Sequence, residues 1–328
     1  MDASGGREMD GFSYARRTSA YRRPGVGKPL RLKTSTKLAV ASGISRCLLA
    51  LRRLAGLGSE VEVIRGGIRW RLDLTEGVDL AIYLSGHFES RTVRVFRGML
   101  RPGDTAIDVG ANIGANTLEL ARCVGPDGRV VAFEPTGFAL ERLCRNVSLN
   151  PELARRVIVE HAYLTAEASP APRLHFYSSW PLGSDSKGSL HQRHGGRLKS
   201  ADNAARWTLD RYVEVKRLSA VRLIKLDVDG SERQVLTGAK QTLERFRPSI
   251  IVEIAPYVLD EEEGALEGVV NLLRDLGYGF TDIASGKRLQ ASADELRHAI
   301  PDGAGINVLA ENEEIDRSVR NGARPNRP

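Results

Sequence analysis

A chain of 328 residues with 41% hydrophobic and 27% charged residues can bury a sizeable core. At 6% aromatics it is too poor for rows of base-stacking platforms, and its three cysteines, Cys47, Cys123 and Cys144, have neither the number nor the spacing of a disulfide framework or a metal-ligand set. The formal net charge of +7 is uneven: residues 1–53 hold twelve Lys/Arg against three Asp/Glu, and the remainder is slightly acidic.

In chain order, residues 1–36 mix Gly, Ser, Arg, Tyr and Pro without hydrophobic period and are expected to be a disordered basic arm. Residues 37–59 predict an amphipathic helix; Arg46, Arg52 and Arg53 interrupt its apolar run from Leu38 to Leu57 and argue against a membrane span. Docking on the main domain is favoured for it, with peripheral membrane contact through residues 1–57 left open. This extension is expected to be dispensable for cofactor binding. The polar start lacks a secretory pattern, so a reducing, cytoplasmic setting is expected. The alternation of EVEVIRGGIRWRLDL around Gly66-Gly67 predicts a β-hairpin. Residues 77–100 predict two helices separated by Gly86-His87-Phe88-Glu89.

From Thr105 onward, strand and helix alternate. Strands are expected at 105–109, 129–134, 157–161, 222–227 and 249–254, and helices at 114–123, 137–149, 231–246 and 266–276. Cys123 and Cys144 fall on the apolar faces of two of those helices and are expected in the core. Two strands, 278–283 and 306–310, follow with no expected helix between them, which predicts an antiparallel hairpin at one sheet edge. This rhythm gives an α/β, doubly wound, mostly parallel sheet over residues 60–311, preceded by a helical and hairpin extension and followed by a polar tail at 312–328. The segment 164–207 is too long for an ordinary connection. It is either a functional element, with 178–206 as a mobile lid, or a surface insertion with its own hairpin near 173–177.

The sharpest motif is TAIDVGANIGANTLELA at 105–121. A strand ends at Asp108, a turn with Gly110 and Gly114 follows, and a helix opens whose N-terminus suits a carboxylate. Ligands in open α/β sheets bind at such strand ends. Glu134 closes the next strand 26 residues later, where an acid can accept ribose hydroxyls. NAD would bring a pyrophosphate against Asp108, which is unfavourable; S-adenosylmethionine would bring an ammonium, which is favourable. The motif therefore selects S-adenosylmethionine.

Five stretches together resemble the FkbM family of methyltransferases: GHFES (86–90), GDTAIDVGANIGANTLELA (103–121), VVAFEPTGFALERLCRNVSLN (130–150), TLDRYVEVKRLSAVRLIKLDVDGSERQVLTGA (208–239) and RPSIIVEIAP (247–256). The resemblance implies a seven-stranded, Rossmann-like class I methyltransferase fold, S-adenosylmethionine as donor, and a hydroxyl on a sugar or natural product as acceptor. It further implies that Asp108, Gly110, Asn112 and Gly114 surround the methionine part, that Glu134 takes the ribose, that His161 and Ala162 border the adenine, and that Glu89 closes the methionine end. The family reads Lys-Ile-Asp-Val-Glu-Gly where this chain has Lys225-Leu-Asp227-Val-Asp229-Gly230. The shorter Asp229 puts any contact of the longer acid in question.

Proton removal from an alcohol needs a base within reach. Asp227 and Asp229 are the candidates, with His191, and secondarily His194, in the long loop. Asp227, Asp229 and Glu232 could instead hold a divalent cation or cap the next helix, a reading that suits Glu232. A nucleic-acid methyltransferase gripping phosphates with the basic arm is the runner-up; it lacks the Pro-Pro-aromatic turn that would flank a base at Asp227. A non-catalytic cofactor-binding protein is the third reading. Oligomeric state leaves no signal in the sequence.

Overall fold

The computed structural model describes residues 32–167, 175–182, 190–192, 194–290 and 292–313. The expected arm and tail lie almost wholly outside these residues. The chain enters through α1 (Thr34–Leu54), a helix with two faces. Leu38, Ala41, Leu48 and Leu49 pack on Leu74, Leu80 and Leu182, and the buried Ser45 hydroxyl donates to the Leu74 carbonyl at 2.7 Å. The helix therefore docks on the domain, as favoured from sequence. Its opposite face, with Val40, Ile44, Leu51 and Leu54, stays in solvent.

β1 (Glu60–Arg65) and β2 (Ile68–Asp73) form the predicted hairpin, with Arg65 opposite Ile68. Gly66 and Gly67 turn the chain at φ of 56° and 80°, the paired positive angles of a two-residue hairpin turn. Strict alternation buries Ile68, Trp70 and Leu72 of β2 and exposes Arg69 and Arg71. Two helices follow, α2 (Gly77–Ser85) and α3 (Ser90–Met99).

The first half of the main sheet then runs β3 (Thr105–Val109), α4 (Ala115–Cys123), β4 (Arg129–Phe133), α5 (Gly137–Ser148), α6 (Pro151–Ala154) and β5 (Val157–Glu160). An insertion contributes β6 (Ala162–Leu164), β7 (His175–Ser179), β8 (Arg197–Ser200) and β9 (Ala205–Trp207). It is a hairpin of its own: β7 pairs antiparallel with β8, and β6 runs parallel to β9. The second half has α7 (Leu209–Val215), β10 (Leu223–Leu226), α8 (Glu232–Thr237), α9 (Lys240–Phe246), β11 (Ser249–Ile254), α10 (Pro256–Leu259), α11 (Ala265–Asp275), β12 (Tyr278–Asp282), β13 (Arg288–Leu289), α12 (Ala293–Ala299) and β14 (Ile306–Asn312).

The main sheet has the order β13-β12-β14-β11-β10-β3-β4-β5. Strands β3, β4, β5, β10 and β11 are parallel; β14 is antiparallel to both its neighbours. Successive strands grow outward in one direction from β3 and in the other from β10, so the switch point lies between those two. Residues of β3 and β4 alternate between the two faces of the sheet: Ile107 and Val131 join one core cluster, Ala106 and Val130 the other.

Four expectations are corrected. The sheet has eight strands rather than seven, because the two-residue β13 adds an edge. The last two expected strands are no edge hairpin: α12 separates them and β14 inserts between β11 and β12. Its buried Val308 and Leu309 point to opposite faces and join the two different core clusters, as suits an interior strand covered on both faces. The helix expected over 231–246 is two, α8 and α9: the Asp210 carboxylate accepts the N–H groups of Gln241 and Thr242 at the start of α9, and the Asp210 N–H donates to the Gly238 carbonyl at the break. Cys144 is exposed and does not belong to the core, whereas the half-buried Cys123 packs against it as expected.

Candidate active site

A cavity of about 510 Å³ opens over the carboxyl ends of β3, β4, β10 and β11, at the switch point. That is ample for a nucleoside-sized ligand. Its wall divides by chemistry. Phe133, Pro135, Ala162, Tyr163 and Leu164, from the ends of β4 and β5, make one side largely apolar, with Glu134 among them. The β10 and β11 side carries four carboxylates, Asp227, Asp229, Glu253 and the nearby Glu89, and the wall as a whole has a single lysine, Lys37. Helix α1 contributes Thr34, Lys37, Leu38 and Ala41 to the wall, so the N-terminal extension is not separable from the pocket as expected.

Gly110 is required where it stands: its φ is 84°, and a Cβ would fall 1.9 Å from the Asp227 carbonyl oxygen. Only glycine lets the β3 turn lie against the β10 turn. The N–H groups of Gly110 and Ala111 both donate to the Phe133 carbonyl, and that of Asn112 donates to Glu134 at 2.9 Å. The turn thus spends its donors within the protein and is no anion cradle. The open donor end is the start of α4, which no side chain caps and whose Ala115 and Asn116 face the cavity. Gly114 is the N-cap of that helix and does not itself line the wall.

Asp108 also lies behind the wall. It is 1% exposed and accepts the Thr117 hydroxyl at 2.6 Å; burial pushes its carboxyl up to about 6. The acids that meet the cavity in its stead are Glu89 and Asp227. Glu134 is placed as expected, but it is heavily engaged. It accepts the N–H groups of Asn112 and Thr136 and the Thr136 hydroxyl. A carboxylate has about four acceptor sites, so one remains for a ribose hydroxyl rather than two. The Thr136 hydroxyl also lies 2.9 Å from that of Ser178 in β7.

The acidic turn after β10 is ordered by two internal contacts. Fully buried Lys225 donates to Asp227 at 2.9 Å. Burial pulls the Lys225 ammonium down, but Asp227 and Glu89 outweigh it and hold its pKa above the ordinary range. Glu232, 2% exposed, accepts the N–H groups of Val228 and Gly230, and burial pushes it up to about 7. It holds the turn, close to the capping role expected. Asp229 adopts a φ of 47°, a region that Asp and Asn occupy far more readily than longer side chains. The shorter acid therefore suits this backbone. Glu253, at the end of β11, is pushed well above the ordinary range by burial and by Asp227, Asp229 and Glu89.

Of the two loop histidines the structure selects the other one. His191 does not line the cavity; its Nε2 is 2.8 Å from Glu261. His194 does line it, stacked on His191 at 3.9 Å and edge-on to Tyr177. Its Nδ1 accepts the Gly196 N–H at 3.1 Å, which assigns the proton of the neutral ring to Nε2. Burial pushes its pKa down to about 4, so it serves as a donor into the cavity rather than a base. His161 likewise stays out of the wall, with Nε2 donating to the Pro135 carbonyl, while its neighbour Ala162 is in.

Three buried wall atoms have no partner among the described residues: Glu89 Oε2, Asn116 Oδ1 and His194 Nε2. Such groups are costly unless a ligand satisfies them. Two acceptors and one donor, on an acidic wall facing an apolar one, fit an adenosine carrying cationic sulfonium and ammonium groups. They do not fit a pyrophosphate. Among the described residues no three His, Cys, Asp or Glu groups converge in metal-holding geometry, and Asp227 already has Lys225 as its counter-charge. Asn116, Glu253 and Lys37 were not singled out from sequence. Glu253 alone left a signal, as a lone acid at the end of an apolar strand.

Residues 108–280 match the family described as Methyltransferase FkbM domain. The chain is 31% identical over 219 residues to 31-O-demethyl-FK506 methyltransferase FkbM of Streptomyces tacrolimicus, covering 60% of this chain and 79% of that protein. It is 29% identical over 199 residues to methyltransferase sdnD of Sordaria araneosa, covering 53% and 73%. Among solved structures, methyltransferase FkbM from Methylobacillus flagellatus KT is similar with a TM-score of 0.40 and 16% identity, over 66% of this chain and half of that one.

Proposed function

From the premise that the chain belongs to the FkbM methyltransferase family and takes S-adenosylmethionine as its cofactor, we propose that it methylates a hydroxyl of a small-molecule natural product or sugar. The observation that carries the reading is the split cavity, largely apolar on the β4 and β5 side and lined by four carboxylates on the β10 and β11 side. The name of the Streptomyces tacrolimicus relative, 31-O-demethyl-FK506 methyltransferase, supports a hydroxyl acceptor.

Ala162 and Tyr163 would take the adenine, Glu134 a ribose hydroxyl, the start of α4 the methionine carboxylate, and Glu89 with Asp227 the cationic end. When bound, the cofactor supplies an electrophilic methyl group. The chain's part is to align the acceptor oxygen, keep water out and take the proton. The carboxylates Asp227, Asp229 and Glu253 ring the place where that proton leaves. The Lys225 ammonium, 2.9 Å away, already engages Asp227. Glu253, whose ionised form is disfavoured, binds a proton more readily. The His194 Nε2–H is placed to orient the acceptor. A phosphate backbone would meet five carboxylates here, which argues against a nucleic-acid acceptor.

Calorimetry with S-adenosylmethionine and with NAD, followed by transfer of labelled methyl onto a panel of hydroxylated macrolides and sugars, tests the reading. Binding of NAD in preference to S-adenosylmethionine would overturn the cofactor assignment. Transfer to nucleic acid but to no small molecule would overturn the acceptor class.

A further inference from the structure

The outward face of α1 is apolar, although the helix is already docked through its other face. Val40, Ile44, Cys47, Leu51 and Leu54 recur at steps of four, three, four and three residues, the spacing of a single helical stripe. Val40 is 57%, Leu51 66% and Leu54 87% exposed, and Leu57 continues the patch just past the helix end. The stripe runs for about 21 Å at 1.5 Å per residue. A run of large apolar side chains that none of the described residues covers marks an interaction surface.

Charge decides the partner. From Leu32 to Ser59 there is no Asp or Glu, and Lys33, Lys37, Arg46 and Arg53 are all exposed along this stretch. Residues 1–31, which join the helix at the Lys33 end of the stripe, add seven Lys/Arg against three Asp/Glu. A second copy of the chain would bring this positive charge against itself. A nucleic acid would meet the charge but find no aromatic residue between Leu32 and Ser59 on which to stack a base. An anionic bilayer satisfies both halves, since acyl chains accept the stripe and headgroups accept the basic flanks. No described helix is long and apolar enough to cross a membrane, so contact of this kind is peripheral.

We infer that α1 is a two-sided adaptor that holds the domain on an anionic lipid surface through Val40, Ile44, Leu51 and Leu54. Its inner edge carries Lys37, Leu38 and Ala41 into the cavity wall, so the bilayer would lie beside the cavity. Delivery of a lipid-dissolved acceptor along that edge rests on the methyl-transfer reading above; membrane docking does not.

The test is flotation of the full chain with vesicles of phosphatidylcholine alone and with about 30% phosphatidylserine added, the composition supplying the negative surface. The expected result is binding to the anionic vesicles, weakened by salt, with little binding to neutral ones. The double variant Ile44→Glu/Leu51→Glu should lower it by about tenfold or more, since two exposed apolar side chains lose their burial. Melting temperature and affinity for S-adenosylmethionine should not change in that variant. Absence of vesicle binding, vesicle binding that survives the double variant, or a concentration-dependent dimer that the double variant dissolves would each overturn the inference. Vesicle binding without methyl transfer to any acceptor would leave the docking intact and count against the transfer reading alone.

Discussion

Two buried glutamates in this fold hold two neighbouring turns in the same way and differ in what else they face. Glu134 gathers the N–H groups of Asn112 and Thr136; Glu232 gathers those of Val228 and Gly230. Each turn contains one non-glycine residue at positive φ, Asn112 at 49° and Asp229 at 47°. In each case the carboxylate satisfies donors that would otherwise be buried without partners. Yet Glu134 lines the cavity and Glu232 does not. A buried acid at a strand end is therefore no sign of function by itself; the direction of its remaining acceptor site is.

The sharpest way to break the arrangement is through the glycine that lets the β3 and β10 turns touch. Gly110→Ala places a Cβ 1.9 Å from the Asp227 carbonyl and an alanine at positive φ. It should cost about 3 kcal/mol or more, the upper scale for overpacking, and abolish cofactor binding. Thermal melts with and without S-adenosylmethionine check this; a variant that binds normally would show that the turns tolerate separation.

Glu253→Gln should lower turnover by about 10²-fold while leaving cofactor affinity within about twofold, the pattern for loss of a base. Asp227→Asn should instead weaken cofactor binding as well, because it removes the counter-charge of buried Lys225. Equal losses of turnover and binding in Glu253→Gln would move the proton acceptor back to Asp227 or Asp229.

Glu134→Ala and Glu232→Ala should each destabilise the free protein by about 1–3 kcal/mol, the scale for stranded buried donors. Only Glu134→Ala should also lose about tenfold to a hundredfold in cofactor affinity, measured by calorimetry on the folded fraction. A comparable loss in Glu232→Ala would dissolve the distinction between the two.

The smallest expected effect is in pH. Burial raises Asp108 to about 6 and Glu232 to about 7. A carboxyl whose folded pKa exceeds its unfolded one, about 4, stabilises fully below that value and loses its contribution as pH rises through the folded pKa. The free protein should therefore melt lower at pH 8 than at pH 6, by about 2–4 °C for each kcal/mol lost. A melting temperature that rises from pH 6 to pH 8 would contradict this.

Much of this was legible from local pattern. The Gly110 turn, the placing of Glu134 and every long strand follow from period and spacing, because each depends on residues near in sequence. The rest depends on contacts between distant segments. The break at Gly238 is held by Asp210, in the segment before β10, which caps the start of α9. His194 rather than His191 enters the wall because His191 is drawn to Glu261 on another element. Asp108 turns away because alternation along β3 sets it on the same side as Ala106, toward Thr117. That much was readable from the strand, but the location of the cavity relative to that side was not.

The contact between Thr136 and Ser178 has a consequence for engineering. An inserted hairpin over a strand-end pocket invites treatment as an exchangeable cassette, to be swapped between relatives so that acceptor choice changes and the donor site stays constant. Here the hairpin is stitched in at both levels. Ser178 meets the hydroxyl that also serves Glu134, Asn112 donates its side-chain amide to the Ser178 carbonyl, and Glu76 accepts both the Ser179 hydroxyl and the Trp180 N–H. A graft that omits these stitches would change the grip on the ribose along with the new acceptor wall. A working chimera has to carry Ser178, Ser179 and the Trp180 backbone register across with the loop.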